Sequence, residues 1–426
     1  MSDSRRFSSL FLHGWRQFGD IALDLSSRLT VLTGANGSGK TTILNILGQH
    51  FDWYSQFLRL PKSIQTSAFR YLSDLRVELG QEREQVKDQV VIGQIVYDDD
   101  TRTDIGVPIS STEILYGVQL RKMKAVQGLF LPSHRSMSAY QQVEWIPATF
   151  SATSHILQQY VEEVRSRYSG HTYGSKKSAL LLMKEALLAA AIYSEGNSSV
   201  TPIPEAEHVW TGFQDTLRAL LPASIGFRRL TAQPPLIIVE TDTGTFPIDA
   251  VSGGLSAILE LGWQIFLRSR DAAVFTVCID EPENHLHPSL QRAIIPSLLK
   301  AFPSVAFIVA THSPFIVTSA PDAHVYVLRY DEEQAVTSVL LDFREKAASA
   351  EATLRQVLGV YSTLPVWAEE RFDEIINRYL GISITPELLS RLRRELASSG
   401  LDVELPDAVD KVIESQDGTN SKRDSE

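Results

Sequence analysis

The chain is short of cysteine, of positive charge and of long apolar runs. Its 426 residues include one cysteine, Cys278, so an intrachain disulfide is excluded and a reducing compartment is favoured. No apolar run approaches the roughly 20 residues that a membrane-spanning helix needs, and the most apolar helical stretch, Ala179–Tyr193, contains Lys184 and Glu185. Since the polar start also lacks a signal-peptide pattern, we expect a cytoplasmic protein without a membrane partner.

The charge balance argues against general binding to nucleic acid. With 40 basic and 51 acidic side chains the net charge is −11, whereas phosphate contacts dominate affinity for nucleic acid. Local basic clusters at Arg121–Lys124, Lys176–Lys177 and Arg228–Arg229 leave such binding open. A hydrophobic fraction of 43% and a charged fraction of 21% are typical of a globular protein.

Strand-like and helix-like segments alternate in a way that predicts an α/β fold with a parallel sheet. Residues 151–222 interrupt this rhythm with three segments of helical periodicity, too short for a long coiled-coil arm. We predict an N-terminal lobe over residues 1–150, a helical insertion over 151–222, a C-terminal lobe over 223–345, a helical region over 346–414 and a disordered tail over 415–426.

A glycine-rich loop follows the first buried strand. The segment Gly34–Thr41 lies between the strand Leu29–Thr33 and a helix that opens at Thr41, which is the context of a phosphate-binding loop. Glycines let backbone N–H groups face an anion, and the helix N-terminus adds positive potential. Lys40 is expected to contact the β and γ phosphates, and Thr41 to bind Mg²⁺. The residues assigned to ATP here are Gly34, Asn36, Gly37, Ser38, Gly39, Lys40, Thr41 and Thr42.

Two further strands end in residues suited to ATP hydrolysis. Asp280 ends an apolar strand at the carboxyl edge of the predicted sheet, where ligands bind in such folds, and is a candidate Mg²⁺ contact. Glu281 is the candidate that polarises the attacking water. His312 follows the strand Val305–Ala310 and is the candidate that hydrogen-bonds the γ-phosphate or the water. Together with Lys40, Glu281 and His312 form the predicted catalytic set.

The tripeptide Ser252–Gly254 precedes a helix and forms a second candidate anion site. One chain cannot direct both this tripeptide and the phosphate loop at one phosphate group unless the two face each other. A head-to-tail dimer satisfies this requirement, because the loop of one subunit then meets Ser252, Gly253 and Gly254 of the other. We therefore expect self-association into a dimer or a higher oligomer.

In their order these motifs resemble those of the ABC-type ATPases of the SMC/RecF/OLD-like group, often described as AAA-family ATP-binding proteins. Gly34–Thr41 resembles the Walker A motif and Val251–Leu255 the signature motif. Ile279–Pro288 resembles the extended Walker B motif and Thr311–Pro314 the switch histidine. The resemblance covers about residues 5–345. It implies an ABC-type P-loop NTPase head, in which ATP closes a dimer and hydrolysis reopens it.

The sequence departs from the family pattern at three places. Leu255 stands where transporters usually have glutamine in the signature. Ser133, His134 and Arg135 follow the strand Leu129–Leu131 where a glutamine is expected, and Gln127 and Gln141 lie on either side. Asn284 and His285 stand in place of the usual aspartate after the Walker B motif.

The leading functional hypothesis is an ATPase switch whose output lies in a partner protein. Such stand-alone ATPases resemble regulatory subunits of bacterial antiphage systems that work with a separate effector such as a nuclease. A RecF-like repair ATPase that binds DNA is the alternative, and a transporter ATPase subunit is disfavoured by the extended Walker B loop and the C-terminal helices.

Overall fold

The computed structural model describes residues 5–63, 69–72, 75, 85–86, 89–108, 110–111, 114–134, 140–147, 149–168, 177–196, 201–342, 349–358, 364–382 and 385–413. The chain divides into two compact units, Met1–Gly359 and Val360–Glu426. Arg135 and the predicted disordered tail lie outside the described residues.

The strands are concentrated in the first unit. They are β1 (Phe7–Trp15), β2 (Phe18–Asp24), β3 (Leu29–Gly34), β4 (Gln56–Leu58), β5 (Leu60–Ser63), β6 (Phe69–Leu72), β7 (Gln85–Val86), β8 (Gln89–Tyr97), β9 (Arg102–Pro108), β10 (Ser110–Ser111), β11 (Leu115–Gly117), β12 (Gln119–Arg121), β13 (Gly128–Leu131), β14 (Phe227–Gln233), β15 (Leu236–Thr241), β16 (Gly244–Pro247), β17 (Thr276–Asp280), β18 (Ala306–Ala310), β19 (His324–Tyr330) and β20 (Val336–Leu340).

The helices occur in both units. They are α1 (Lys40–Gly48), α2 (Thr153–Tyr168), α3 (Ala179–Glu195), α4 (Pro204–Leu220), α5 (Gly253–Asp271), α6 (Pro288–Ala301), α7 (Pro314–Val317), α8 (Ala350–Ala352), α9 (Val366–Ile376), α10 (Pro386–Ser398) and α11 (405–413).

One large sheet organises the first unit. Its strand order is β12-β9-β8-β1-β2-β20-β19-β3-β18-β17-β13, and β7 pairs with β8 off this path. The neighbours from β19 to β13 run parallel, whereas β12, β9, β8, β1 and β2 pair antiparallel. Since β3, β18 and β17 are adjacent and parallel, the loops that follow them emerge at one edge of the sheet.

Both faces of the parallel strands are covered, which explains their near-continuous apolar sequence. Val277 and Ile279 of β17 face the core that contains α5, whereas Cys278 faces the core that contains α1 and the antiparallel strands. The side chain of Cys278 is fully buried, and there it packs as a small hydrophobic residue. Burial also raises the pKa of its thiol.

The helices α2, α3 and α4 form the predicted helical region. They belong to the same hydrophobic core as α5 and the parallel strands, with Tyr160 of α2, Leu187 of α3 and Phe213 of α4 all buried. Phe213 packs edge-on against Trp263 of α5 with ring centroids 4.8 Å apart. The helical region therefore packs against α5, the helix that follows Ser252, through a shared apolar core.

The second unit has its own small core. Phe372 and Ile375 of its first helix, α9, and Tyr379 just after it are buried together with Leu392 and Leu396 of α10. In the part of the chain that the structure describes, no helix has both the length and the apolarity to cross a membrane.

The predicted α/β fold class is confirmed, with helices added to the sheet and the glycine-rich loop between β3 and α1, whereas the ABC type of the head stays a prediction. The strand–loop–helix unit around Gly34 lies where the sequence predicts it, with the helix starting at Lys40. The five predicted segments by residue number stay predictions.

Candidate functional site

The phosphate loop joins β3 to α1, and two of its glycines have a local structural reason. Gly34 has φ 139°, and a Cβ there would lie 2.4 Å from the carbonyl oxygen of Leu328. Gly39 has φ 98°, and a Cβ there would lie 2.3 Å from the ring of Phe18. Only glycine fits such positions without strain, so neighbouring strands fix the shape of the loop.

Inside this loop, a buried ammonium group and a buried hydroxyl group face the space that the loop encloses. Lys40 is 5% exposed, and its Nζ donates to the carbonyl oxygens of Gly34 at 3.0 Å and Ala35 at 3.1 Å. The Oγ of Ser38 is buried and has no hydrogen-bond partner among the described residues. A buried polar atom without a partner is rare in folded proteins, and this one fits an anion bound in the loop.

Asp280 at the end of β17 meets the first turn of α1. The Oγ1 of Thr41 donates to both carboxylate oxygens of Asp280, at 3.2 Å and 3.0 Å. A hydroxyl and a carboxylate beside a phosphate site are the ligands that Mg²⁺ takes in nucleotide-binding proteins. The donor set of Thr41 and Asp280 therefore fits the predicted metal.

Burial shifts the pKa values of the charged groups at this edge. Loss of hydration lowers the pKa of Lys40 to about 8, although Asp280, Glu281 and Glu283 act in the opposite direction. Burial raises the pKa of Asp280 to about 6, and the hydrogen bond from Thr41 partly offsets this rise. Both shifts result from charges held apart from water, a condition that a bound anion and a cation would relieve.

Glu281 begins the loop after β17 and has φ 48°, in the left-handed region that non-glycine residues rarely adopt. Its backbone N–H donates to the carbonyl oxygen of Ala310 at 2.8 Å, which ties this loop to the end of β18. Its carboxylate accepts from Asn284 Nδ2 at 2.8 Å and lies 4.0 Å from Nε2 of His312. Backbone strain of this kind is often concentrated at functional sites.

The imidazole of His312 lies close to the carboxylate of Glu281, and it is also near enough to Lys40 of the phosphate loop to feel its charge. Burial lowers its pKa, the positive charge of Lys40 lowers it further, and Glu281 acts in the opposite direction. The ring is therefore neutral at neutral pH and can donate one hydrogen bond and accept another.

Glu283 holds the segment that carries His312. Its Oε1 accepts from Thr311 Oγ1 at 2.7 Å and from the backbone N–H groups of His312 at 2.8 Å and Ser313 at 3.1 Å. Burial raises the pKa of this carboxyl group. One carboxylate oxygen thus fixes the start of the switch segment relative to the Walker B loop.

The signature tripeptide lies at the N-terminus of α5. Ser252 is the cap residue, and its exposed hydroxyl accepts from the backbone N–H of Leu255 at 3.4 Å. Gly254 is buried, and a Cβ there would lie 2.9 Å from the carbonyl oxygen of His285. Among the described residues, no recorded hydrogen bond joins the tripeptide to the phosphate loop of the same chain.

The helical region reaches the phosphate-binding helix through the last residue of α2. Tyr168 is hydrogen-bonded to Asn45 of α1, and burial together with the charge of Asp280 raises its pKa. Its ring lies 5.3 Å from that of Trp53. This contact places the end of α2 near the candidate site, a proximity that helical periodicity does not reveal.

The structure brings together most of the predicted site residues. Lys40, Thr41, Asp280, Glu281 and His312 converge at the carboxyl edge of the sheet. The remaining loop residues are in their predicted loop, where Asn36 and Gly37 are exposed and Thr42 is half-buried. The tripeptide Ser252, Gly253 and Gly254 stands apart from this group.

Two residues received no role from the sequence, Glu283 and Asn284. Asn284 Nδ2 bridges Glu281 and the carbonyl oxygen of Ser133, which it approaches to 3.2 Å. The signal for both was present in the extended Walker B motif, which continues past Glu281. Their roles depend on β17 and β18 being neighbours, which the linear motif does not state.

Two family models match the chain. Residues 9–186 match a model described as "AAA domain", and residues 228–318 match one described as "AAA domain, putative AbiEii toxin, Type IV TA system". The two matches include the phosphate loop in the first segment and the signature, Walker B and switch histidine in the second.

Three curated proteins resemble parts of the chain. "Septu protein PtuA" of Bacillus mycoides (strain KBAB4) is 29% identical over 35% of this chain and 21% of its own length. "Retron Ec83 probable ATPase" of Escherichia coli is 24% identical over 44% of this chain and 34% of its own length. "Retron Vc95 probable ATPase" of Vibrio cholerae serotype O1 biovar El Tor is 38% identical over 12% and 10%. The chain thus spans at most about a third of the length of these relatives.

Solved structures of SMC heads show a distant similarity. The SMC head domain from Thermotoga maritima has 13% identity and a TM-score of 0.38, with 79% of this chain and 99% of that chain covered. An SMC head bound to the C-winged helix domain of ScpA has 17% identity and a TM-score of 0.43, with 80% and 99% covered. These scores are too low to support a conclusion beyond the family matches.

Each of the two family matches contains some of the motifs that the structure brings to one edge of the sheet. The predicted ATPase domain is thereby confirmed, and with it a nucleotide-binding role. The chain therefore contains an ATPase domain assembled from two segments, each of which matches a model of AAA domains.

Proposed function

We propose that the protein binds ATP with Mg²⁺ and hydrolyses the γ-phosphate as a head-to-tail dimer, and that this cycle switches a separate effector protein in antiphage defence. The observation that carries the proposal is the convergence of Lys40, Thr41, Asp280, Glu281 and His312 at one sheet edge. No other group of the described residues combines a phosphate loop with carboxylates and a neutral imidazole.

The roles follow from the charges and contacts of these side chains. Lys40 would leave the loop carbonyls and contact the β and γ phosphates, whose negative charge compensates for the loss of hydration that lowers its pKa. Thr41 and Asp280 would hold Mg²⁺, and the ion would supply positive charge beside the phosphates. Glu281 orients and polarises the attacking water, and His312 donates a hydrogen bond to the γ-phosphate.

The dimer is inferred from the exposed signature helix. The N-terminus of α5 carries a partial positive charge and, with the Ser252 hydroxyl, offers donors to an anion. Because the recorded contacts of Ser252 and Gly254 are with their own helix and the His285 loop, this end is available to a second subunit. Two copies related by a twofold axis would then bury two nucleotides, each between a phosphate loop and a signature.

The biological setting is inferred from the relatives. A Septu protein and two retron ATPases are similar to parts of this chain, which supports an ATPase acting in defence. The trigger, a nuclease or other effector, and binding to nucleic acid are proposals of the same kind, with the helical region and the second unit as the expected recognition surfaces.

Two variants test the nucleotide chemistry. Lys40→Ala should abolish ATP binding measured by titration calorimetry, because no other buried cation lies in the loop. Glu281→Gln should bind ATP, hydrolyse it at least 100-fold more slowly and accumulate dimers in light scattering. Glu207→Gln, which removes an exposed charge from α4, is the matched control and should behave as wild type.

The outcomes discriminate between the parts of the proposal. ATP affinity that survives in Lys40→Ala would refute the phosphate-loop assignment. If Glu281→Gln stops hydrolysis but light scattering shows no ATP-dependent increase in mass, the assignment of Glu281 to ATP hydrolysis is supported and the ATP-driven dimer is refuted. Proteins that copurify with Glu281→Gln identify the effector, and a gel shift that requires ATP would favour the DNA-repair alternative.

A further inference from the structure

A buried ammonium group joins the helical region to the signature motif. Lys184 of α3 is fully buried, and its Nζ donates to Asp249 Oδ1 at 2.7 Å. The same Nζ donates to the carbonyl oxygen of Gln141 and lies 4.8 Å from the ring centroid of Tyr140. A charge so far from water requires such partners, so its position is closely determined.

The partners of Lys184 lie on two segments that lead to the two halves of the ATPase site. Asp249 belongs to the single helical turn Ile248–Ala250, which runs directly into Ser252 and the N-terminus of α5. Gln141 follows the segment after β13, where the carbonyl oxygen of Ser133 accepts from Asn284. The Gln141 side chain also accepts from the backbone N–H of Ser178, the cap residue of α3.

Lys184 bonds to only one of the two carboxylate oxygens of Asp249. Oδ2 of Asp249 is buried without a hydrogen-bond partner among the described residues. A pair that served only to stabilise the core would be replaced at little cost by apolar side chains. The single bond from Lys184 instead fixes the orientation of the turn that immediately precedes the signature.

We propose that Lys184 is a positioning residue for the signature motif: through Asp249 it holds Ser252 and the N-terminus of α5 in the orientation needed to complete the nucleotide site of the partner subunit. The inference rests on the dimer proposed above and deepens it. Lys184 touches neither nucleotide nor metal, and it acts on the hydrolysis that occurs at the other subunit's phosphate loop.

This role has a consequence that a general loss of stability does not share, because the defect acts in trans. In a mixed dimer of Lys184→Met with Lys40→Ala, the intact phosphate loop of the first subunit meets the intact signature of the second. The other site combines both defects. Each mixed dimer then has one functional site, so mixing should raise the activity well above that of either variant alone, to at most about half of the wild-type rate.

The experiment uses the full chain with four variants. Lys184→Met and the double variant Lys184→Met/Asp249→Leu, which leaves no unpaired buried charge, are measured beside wild type. Lys40→Ala is the mixing partner. Ser178→Ala, which removes the cap of the same helix without touching Lys184, is the control for destabilisation of α3.

We expect both Lys184 variants to bind ATP within about threefold of wild type, while kcat falls at least tenfold and returns on mixing with Lys40→Ala. Ser178→Ala should keep its kcat within about twofold. Without nucleotide, hydrogen exchange over residues 248–256 should rise at least fivefold in Lys184→Met, whereas exchange over residues 34–42 should not change.

Two results would overturn the inference. One is an unchanged exchange rate over residues 248–256, which is measured on the nucleotide-free protein and so does not depend on the proposed ATPase cycle. The other is a failure of Lys40→Ala to rescue Lys184→Met while wild type remains active. A wild-type protein that neither dimerises nor hydrolyses ATP would instead refute the proposed function. In that case the hydrogen-exchange measurement alone would test whether Lys184 holds the signature in place.

Discussion

Replacing Glu283 by alanine is a direct test of how the candidate site is held together. Its Oε1 is the shared acceptor for Thr311 Oγ1 and for the backbone N–H groups of His312 and Ser313. Alanine removes this acceptor and leaves three donors at the end of β18 to find water. Glutamine keeps one oxygen acceptor and, since burial raises the pKa of Glu283, also resembles its protonated form.

The expected magnitudes follow from these three bonds. A hydrogen bond to a charged acceptor contributes about 1.5–3 kcal/mol, so three give an upper bound of about 5–9 kcal/mol. The loop is half-buried, and water can replace part of this, so we expect Glu283→Ala to lower the free energy of unfolding by about 3 kcal/mol. In Glu283→Gln the amide nitrogen takes the place of Oε2, which is buried without a partner, and the expected loss is about 1–2 kcal/mol.

Urea unfolding and steady-state ATPase assays measure the two consequences. We expect the order wild type, Glu283→Gln, Glu283→Ala in decreasing stability, and a kcat at least tenfold lower in Glu283→Ala because the His312 backbone loses its anchor. ATP affinity should stay within about threefold, since Lys40 is untouched. Glu207→Ala on the exposed face of α4 controls for loss of a carboxylate. A Glu283→Ala protein as stable and active as wild type would refute the anchoring argument.

Two further predictions concern other parts of the first unit. Burial lowers the pKa of His50 from 6.5 to about 4, so the stability from its neutral form is present above pH 6.5 and lost by pH 4. This shift corresponds to about 3 kcal/mol of free energy of unfolding. Between pH 7 and pH 4, urea unfolding of wild type and of a His208→Gln control should therefore show a loss of stability about that much larger than the loss in His50→Gln. Equal losses in all three proteins would contradict the prediction. Gly254→Ala places a Cβ 2.9 Å from the carbonyl oxygen of His285, which should cost about 1–3 kcal/mol and weaken ATP-driven dimerisation in light scattering. Gly117→Ala, where a Cβ meets open space, should be neutral, and equal behaviour of the two glycine variants would refute the clash.

The parts of the fold that the sequence predicts well are those whose signals are local and strong. The strands β3, β17 and β18 are buried on both faces, so each appears as a short continuous apolar run that ends at a functional residue. The phosphate loop adds glycines whose positive φ angles only that residue type tolerates. Parallel neighbours then bring Lys40, Asp280 and His312 to one edge without any further information.

The remaining features depend on contacts between distant segments. The segment from β4 to β12 contains many short strands, such as β7 and β10. No local sequence pattern identifies the strands with which they pair. Lys184 interrupts an apolar helix and, in the sequence alone, is only evidence against a membrane span. Its partner Asp249 is distant in the chain, so the pair becomes visible only once α3 packs against the turn before the signature.

The departure from the family pattern at Asn284 has a physical reason in this structure. The amide nitrogen donates to Glu281 Oε2 at 2.8 Å and to the carbonyl oxygen of Ser133 at 3.2 Å. An ionised aspartate here could donate to neither acceptor, and at this distance its charge would repel the Glu281 carboxylate. Asparagine therefore orients the Glu281 carboxylate by donating to it, and it links that carboxylate to the carbonyl oxygen of Ser133 after β13. Asn284 and the Ser133 carbonyl thus form a contact between the Walker B loop and the residues after β13, the two places where the missing aspartate and the missing glutamine of the family pattern would stand.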